Sequence, residues 1–170
     1  MGKQFLIADT HFGHKKIMDF ENRPFDCPDD MDEKIIANWN SVVSDEDEVF
    51  FLGDFAICNK DKIPELLSRL NGKKKMIMGN HDRKYSVEWW HEAGFDFVSP
   101  YPIIINEWFM LSHEPMYICN NMSYKNIFGH IHGNPQYKDY SDMHFIVCCE
   151  KIEYTPIEFG AMIDKMSKGV

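Results

Sequence analysis

Five apolar segments in this chain each run straight into a turn carrying Asp, Asn or His, and that repeated juncture restricts the fold more than any other feature. Residues 3–8 (KQFLIA) lead into Asp9-Thr10-His11, and residues 49–52 (VFFL) into Gly53-Asp54. Residues 75–78 (KMIM) lead into Gly79-Asn80-His81-Asp82, residues 108–111 (WFML) into Ser112-His113, and residues 126–128 (NIF) into Gly129-His130-Ile131-His132. Short apolar runs bounded by turn residues read as buried strands. Asp and His just beyond them are poor core material, because each must find a partner or lose hydration at a cost. Ligands of open α/β folds gather beyond the carboxyl ends of the strands. Adjacent strands would therefore bring all these polar side chains to one edge.

Between the early strands lie helical patterns. Residues 29–43 place Met31, Ile35, Ile36, Trp39 and Val42 on one face behind an acidic first turn. Residues 61–70 offer Asp61 as a cap, an early Pro64 and an Asn71-Gly72 stop, and residues 86–93 run from a Ser86 cap to Gly94. Alternation of strand and helix then fades, and residues 101–111 read as a hairpin turning at Asn106-Glu107. The expected architecture is α/β, with two mixed sheets flanked by helices in a single domain spanning residues 1–170.

With 170 residues and no repeat or linker, the chain suits one domain with a sizeable core. Five cysteines, odd in number and without CxxC spacing, indicate neither a disulfide framework nor a zinc ribbon. No stretch reaches the ~20 apolar residues that span a bilayer, so a cytoplasmic location is expected and a membrane partner is not. The formal net charge of −9 disfavours duplex nucleic acid as a partner. Asp side chains that hold cations would nevertheless have their charge offset locally.

Asp9, Asp54 and Asn80 supply oxygen donors, and His11, His113, His130 and His132 supply imidazoles, which leaves His81 over. Two divalent ions about 3.5–4 Å apart with a bridging carboxylate require a set of this size and a vacancy for water or substrate. Mixed nitrogen and oxygen donors without thiolate favour Mn, Fe, Zn, Ni or Co, Mn foremost, over Ca or a structural Zn.

The order of these turns, DxH, GD, GNHD, a lone His and GHxH, resembles the calcineurin-like metallophosphoesterase family over residues 9–132. Residues 21–39 (ENRPF, then MDEKIIANW) are also similar to its small bacterial and phage-type predicted phosphohydrolases. The resemblance implies a four-layer α-β-β-α sandwich, the metallo-dependent phosphatase fold. It implies a first metal held by Asp9, His11 and His132, a bridge at Asp54, and a second metal completed by Asn80, His113 and His130. His81 would act as general acid, with Asp82 orienting its ring. The implied activity is hydrolysis of a phosphate mono- or diester, nucleotide-containing substrates among them. The alternatives are a scaffold of the same fold without metals and a binuclear hydrolase of another bond.

Several residues admit plainer readings. Alone, His113 reads as a satisfied interior histidine and Asn80 as a turn residue. His14 has no slot among the ligands and is open between a supporting role, a helix start and substrate contact. Arg23 is open between a substrate phosphate and a surface ion pair, with the ion pair favoured. Lys73 to Lys75 read as a solvated turn, Cys148 and Cys149 as small buried thiols, and His91 and His144 as structural. Residues 12–25, 117–125 and 133–141 are expected to border the site. Tyr117, Tyr124, Tyr137 and Tyr140 there would stack on a base or sugar, or pack.

Overall fold

In a computed structural model, residues 2–136 and 141–168 are described; Tyr137 and Tyr140 lie outside them. The first sheet holds β1 (Gln4–Ile7), β2 (Glu48–Phe51), β3 (Lys73–Ile77), β4 (Phe97–Ser99) and β9 (Ile157–Glu158), in the order β4-β3-β2-β1-β9. β1 to β4 are parallel and β9 runs antiparallel beside β1. The second sheet holds β5 (Ile103–Ile105), β6 (Phe109–Leu111), β7 (Lys125–Phe128) and β8 (His144–Ile146), in that order. β5 and β6 form the expected hairpin, with Asn106 and Glu107 both left-handed at its turn, while β6, β7 and β8 are parallel. The architecture is thus two mixed sheets flanked by helices, as the sequence predicts.

The parallel strands are short, and their inner positions are apolar on both faces, as parallel sheets covered by helices require. Leu6, Ile7, Phe51, Leu52 and Phe55 are completely buried. The Phe55 ring packs against Phe12, Phe51, Phe95 and Trp90, with centroids 5.0, 5.3, 5.5 and 6.1 Å away. This aromatic cluster lies just beneath the turns that follow β1 and β2. The two sheets are joined at the same level: Ala8 N–H donates to Val147 O at 2.9 Å, and Cys149 N–H donates to Ala8 O at 3.1 Å.

Helix α2 (Pro28–Val42) starts on Pro28 with Asp29 and Asp30 in its first turn, placing negative charge at the positive end of the helix dipole. It buries Met31, Ile35, Ile36 and Trp39. Val42 does not join that face; the chain leaves the helix in extended conformation and buries Val43 instead. The helix expected over 61–70 is α3 (Ile63–Ser68), preceded by a 3₁₀ turn, Lys60–Lys62. Asn59 caps that turn through its side chain, displacing Asp61 from the role. Helix α4 (Val87–Ala93) starts on a Ser86 Oγ cap accepting from Trp89 N–H at 3.2 Å and stops at Gly94, whose φ of 129° suits glycine.

Helices α1 (Lys15–Phe20) and α5 (Phe159–Lys168), and strands β4 and β9, are additions to the sequence reading. Lys73 to Lys75 are a correction, since they form most of β3. Lys75 Nζ pairs with Glu48 on β2 at 2.8 Å, and Lys74 Nζ donates to the carbonyls of Leu70 and Gly72. Their long stems lie along the sheet and their charges are met there.

Asp32 on α2 is buried and accepts the Gly13 N–H at 2.9 Å, which ties the helix to the loop after β1. Burial pushes its carboxyl up to about 6 against the pull of that hydrogen bond, and the charges of Asp29 and Glu33 add to the rise. The native state therefore binds more protons than the unfolded chain between about pH 4 and 6, so this group costs stability as pH rises through that window. Asp32→Asn keeps an oxygen for Gly13 and should raise the urea midpoint at pH 7.5, with the gain fading toward pH 4. An equal gain at both pH values would place the cost elsewhere.

Candidate metal centre

The expected donors meet at the joined ends of the two sheets, on strained backbone. Asp9 (φ 60°), His11 (49°), Asp54 (60°), His130 (70°) and His132 (46°) are all left-handed. They make up five of the ten non-glycine residues with positive φ among the described residues. Such conformations each cost of order 1–3 kcal/mol and persist where the surroundings over-determine them. Two glycines make the close approach possible: a β-carbon on Gly79 would collide with Asp54 Oδ1, and one on Gly129 with Asp9 Oδ2.

Donor atoms fall into two groups. In the first, His11 Nε2 and His132 Nε2 lie 3.3 Å apart, and Asp9 Oδ1 is 3.9 Å from the former and 3.6 Å from the latter. In the second, Asn80 Oδ1 lies 3.0 Å from His113 Nε2 and 3.1 Å from His130 Nδ1, and those two nitrogens are 3.1 Å apart. Asp54 Oδ2 stands between the groups, 3.7 Å from His11 Nε2 and 3.5 Å from His113 Nε2.

These spacings fit cations. Donors about 2.0–2.2 Å from one ion are themselves roughly 3–3.5 Å apart. Asp9 Oδ1 and His11 Nδ1 are buried without a hydrogen-bond partner, and an orphaned buried carboxylate oxygen is costly unless a positive charge faces it.

Electrostatics separates the donors. Burial raises the Asp9 carboxyl and lowers the His11 imidazole. Burial would also raise Asp54, but His113, His11 and the His81 backbone N–H outweigh it and hold the carboxyl at about 2. His113 is desolvated too, yet Asp54, Asp9 and the Leu52 carbonyl raise it to about 9. Its Nδ1 lies 2.7 Å from Leu52 O, which only an N–H can satisfy, so Nε2 is the atom left facing Asn80 and Asp54.

His81 is half-exposed at the rim, with its ring edge-on to His11 at 5.5 Å. Its backbone N–H donates to Asp54 Oδ1 at 2.9 Å, and its Nε2 is 3.8 Å from Asp54 Oδ2. Asp82 corrects an expectation. Its carboxylate accepts backbone N–H groups of Gly79, Asp54 and Phe55 at 2.8, 2.7 and 3.0 Å, and no hydrogen bond joins it to the His81 ring. Burial and the nearby Asp54 charge raise it to about 6. Asp82 therefore fastens the turns after β2 and β3 together, and the His81 ring is oriented without it.

Arg23 fits neither reading offered for it. It is buried, and its guanidinium donates to the carbonyls of Asp9 and Thr10 at 2.7 and 2.8 Å and to Glu150 at 2.7 Å. Glu150 in turn accepts from His132 Nδ1 at 3.2 Å. A charged bridge thus runs from the strained loop at Asp9 to the His132 ring and fixes both. Sequence reasoning missed Glu150, although it ends an apolar run of its own, residues 145–149, as the other site residues do.

Cys148 is a second omission: its Sγ lies within 4.8 Å of the donor atoms of Asp9 and His132. Burial and the Asp9 charge push its thiol well up, so it stays protonated beside the carboxylate. His14 occupies the residue before α1 without capping it, its ring 5.6 Å from His11 and its Nδ1 buried and unpartnered. His144 and His91 serve structure, His144 Nε2 donating to Met116 O at 2.8 Å and His91 Nδ1 to Phe95 O at 3.0 Å. Tyr117 is exposed and Tyr124 packs against Trp108.

The sequence matches the model of the calcineurin-like phosphoesterase family over residues 3–147. It is 34% identical to an uncharacterized protein of Methanocaldococcus jannaschii over 99% of this chain and 94% of that protein. A product of gene 66 of Mycobacterium phage L5 is 35% identical over 48% of this chain and 41% of its own length. Among solved structures, a protein of unknown function from Aquifex aeolicus superposes with a TM-score of 0.75 over 98% of this chain and 100% of its own, at 24% identity, which speaks for the fold.

Arg23→Ala should cost about 3–5 kcal/mol in urea unfolding, because it removes a buried guanidinium from Glu150 and from the Asp9 and Thr10 carbonyls. Adding Glu150→Ala should return part of that loss, and full additivity of the two changes would show that the pair does not interact.

Proposed function

The chain belongs to the calcineurin-like phosphoesterase family, and on that premise we propose that it is a dinuclear metal-dependent hydrolase of phosphate mono- or diesters. Asp9, His11 and His132 would hold one ion, Asn80, His113 and His130 the other, and Asp54 would serve both. The observation that carries this reading is the position of Asp54 Oδ2, 3.7 and 3.5 Å from one imidazole of each group. Divalent transition ions bound there would supply an acidified water and positive charge against the phosphate oxygens. The nitrogen and oxygen donors of this set favour Mn, with Fe, Zn, Ni or Co as alternatives.

The chain's own contribution is positioning and proton delivery. Asp9 and Asp54 keep their carboxylates aimed inward because backbone N–H groups of His130 and His81 fix one oxygen of each. Asp82 keeps the β2 and β3 turns at fixed separation. His81, exposed at the rim and 3.8 Å from Asp54, is placed to protonate the departing alkoxide while its backbone stays locked. A cytoplasmic setting agrees with five unpaired cysteines, two of them buried. No helix among the described residues is long and apolar enough to cross a membrane.

Protein reconstituted with Mn should hydrolyse bis(p-nitrophenyl) phosphate or p-nitrophenyl phosphate, and chelation should abolish turnover; full activity after exhaustive metal removal would sink the proposal. His81→Asn should lower kcat about 10²–10⁴-fold with metal content unchanged by elemental analysis. Loss of metal in that variant would make His81 a ligand. Asp54→Asn should lose both ions, and one ion fully retained would contradict the bridge.

A further inference from the structure

Beside His81 the surface opens into a small cleft, about 80 Å³, lined by Ala56, Ile57, Cys58, His81, Lys84 and Tyr85. Among the described residues, no carboxylate lines it. Lys84 Nζ lies 5.3 Å from the centroid of the Tyr85 ring, and Lys60 Nζ reaches the same ring at 5.3 Å and the Trp89 ring at 4.9 Å. The Tyr85 and Trp89 rings pack on each other at a tilt of 39°, centroids 4.2 Å apart. Tyr85, which lines the cleft, thus has two ammonium groups beside its ring, Lys84 from the cleft lining and Lys60 from outside it. A cation on a ring face is held without being neutralised, unlike one held by a carboxylate.

That distinction matters in a chain of net charge −9. Lys3, Arg23, Arg69, Lys75 and Arg83 each pair with a glutamate, whereas neither Lys60 nor Lys84 has an acidic partner among the described residues. Two positive charges beside one ring, neither met by a carboxylate among the described residues, favour an anion in the cleft that Tyr85 lines. The volume suits a small anion: at about 30 Å³ per water, the cleft takes two or three waters, or one tetrahedral oxyanion, and is too small to enclose a nucleoside.

We propose that this cleft is a subsite for a second phosphate, carried by the leaving group of the substrate. The proposal rests on the reading of His81 as general acid: a proton delivered from His81 goes to the leaving oxygen, so the cleft on whose wall His81 stands meets the leaving group's substituent. The substrate class is then a phosphodiester whose leaving alcohol bears a further phosphate, as in a short oligonucleotide with a phosphorylated end. Simple diesters would be turned over with weaker binding.

The test compares dTpdT with pdTpdTp, phosphorylated at both ends so that either direction of cleavage presents a phosphate on the leaving nucleoside. In Mn-loaded enzyme, KM for diester cleavage of pdTpdTp should be at least tenfold lower at similar kcat. Lys60→Ala with Lys84→Ala should erase that preference, bringing KM for pdTpdTp to that for dTpdT in the same variant. The paired Lys→Arg variants should keep it, and Lys73→Ala, on the opposite end of β3, should not affect it. No preference in the wild-type enzyme, or a preference that survives the double alanine variant, would overturn the proposal. Calorimetric titration of metal-free protein with thymidine 3′,5′-bisphosphate reads the cleft without turnover. Binding should weaken at least tenfold in the double alanine variant, and equal affinity would also overturn the subsite. Intact binding with no ester hydrolysed would count against the phosphoesterase reading alone.

Discussion

Two carboxylates buried within one site, Asp9 and Asp54, impose the constraint on which the rest of the structure depends. Each has one oxygen tied to a backbone N–H, from His130 and His81 respectively. The second oxygen of each faces imidazole nitrogens and, for Asp9, finds no hydrogen-bond partner. Without a cation the cost is desolvation of two like charges in a low-dielectric space. The left-handed backbone at Asp9, His11, Asp54, His130 and His132 adds strain at the same place. Such a cluster makes chemical sense as a preformed seat for positive charge.

The fold concentrates that cost where it can be borne. Parallel strands β1, β2 and β3 deliver their turns side by side, and Asp82 locks two of those turns through three backbone N–H groups. The second sheet delivers His113, His130 and His132 from β6 and β7, and the Ala8–Val147 and Cys149–Ala8 hydrogen bonds hold the two sheets in register at the level of the site. Beneath lies the Phe12, Phe51, Phe55, Trp90 and Phe95 cluster, whose burial supplies cohesion that the polar layer above it lacks.

Electrostatic roles divide along the rim. Inside, donors are buried and fixed; at the edge, His81 is half-exposed and the cations Lys60 and Lys84 lie beside the Tyr85 ring without acidic partners among the described residues. An acidic protein can in this way present a locally positive border to an anionic substrate while the interior of the site carries negative charge for metal. On the proposed reading, substrate recognition would fall to residues beside His81 and metal binding to the strand ends.

How far the sequence reaches is visible in individual residues. Asp9, His11, Asp54, Asn80, His113, His130 and His132 were legible because each ends an apolar run within a few residues, and a strand end is a local property of the chain. Alternating strand and helix in the first half and the hairpin at Asn106-Glu107 were legible for the same reason. Asp82 was misread because adjacency to His81 suggested a partner, whereas its oxygens are satisfied by amides 27 and 28 positions away as well as by Gly79. Arg23 and Glu150 are 127 residues apart, and nothing local to either shows that they meet beneath Asp9 and His132. The sequence by itself determined which side chains stand at the ends of strands, through short-range hydrophobic pattern. Only the tertiary structure decided which of them face one another, because that depends on sheet order and on buried long-range hydrogen bonds that no local pattern encodes.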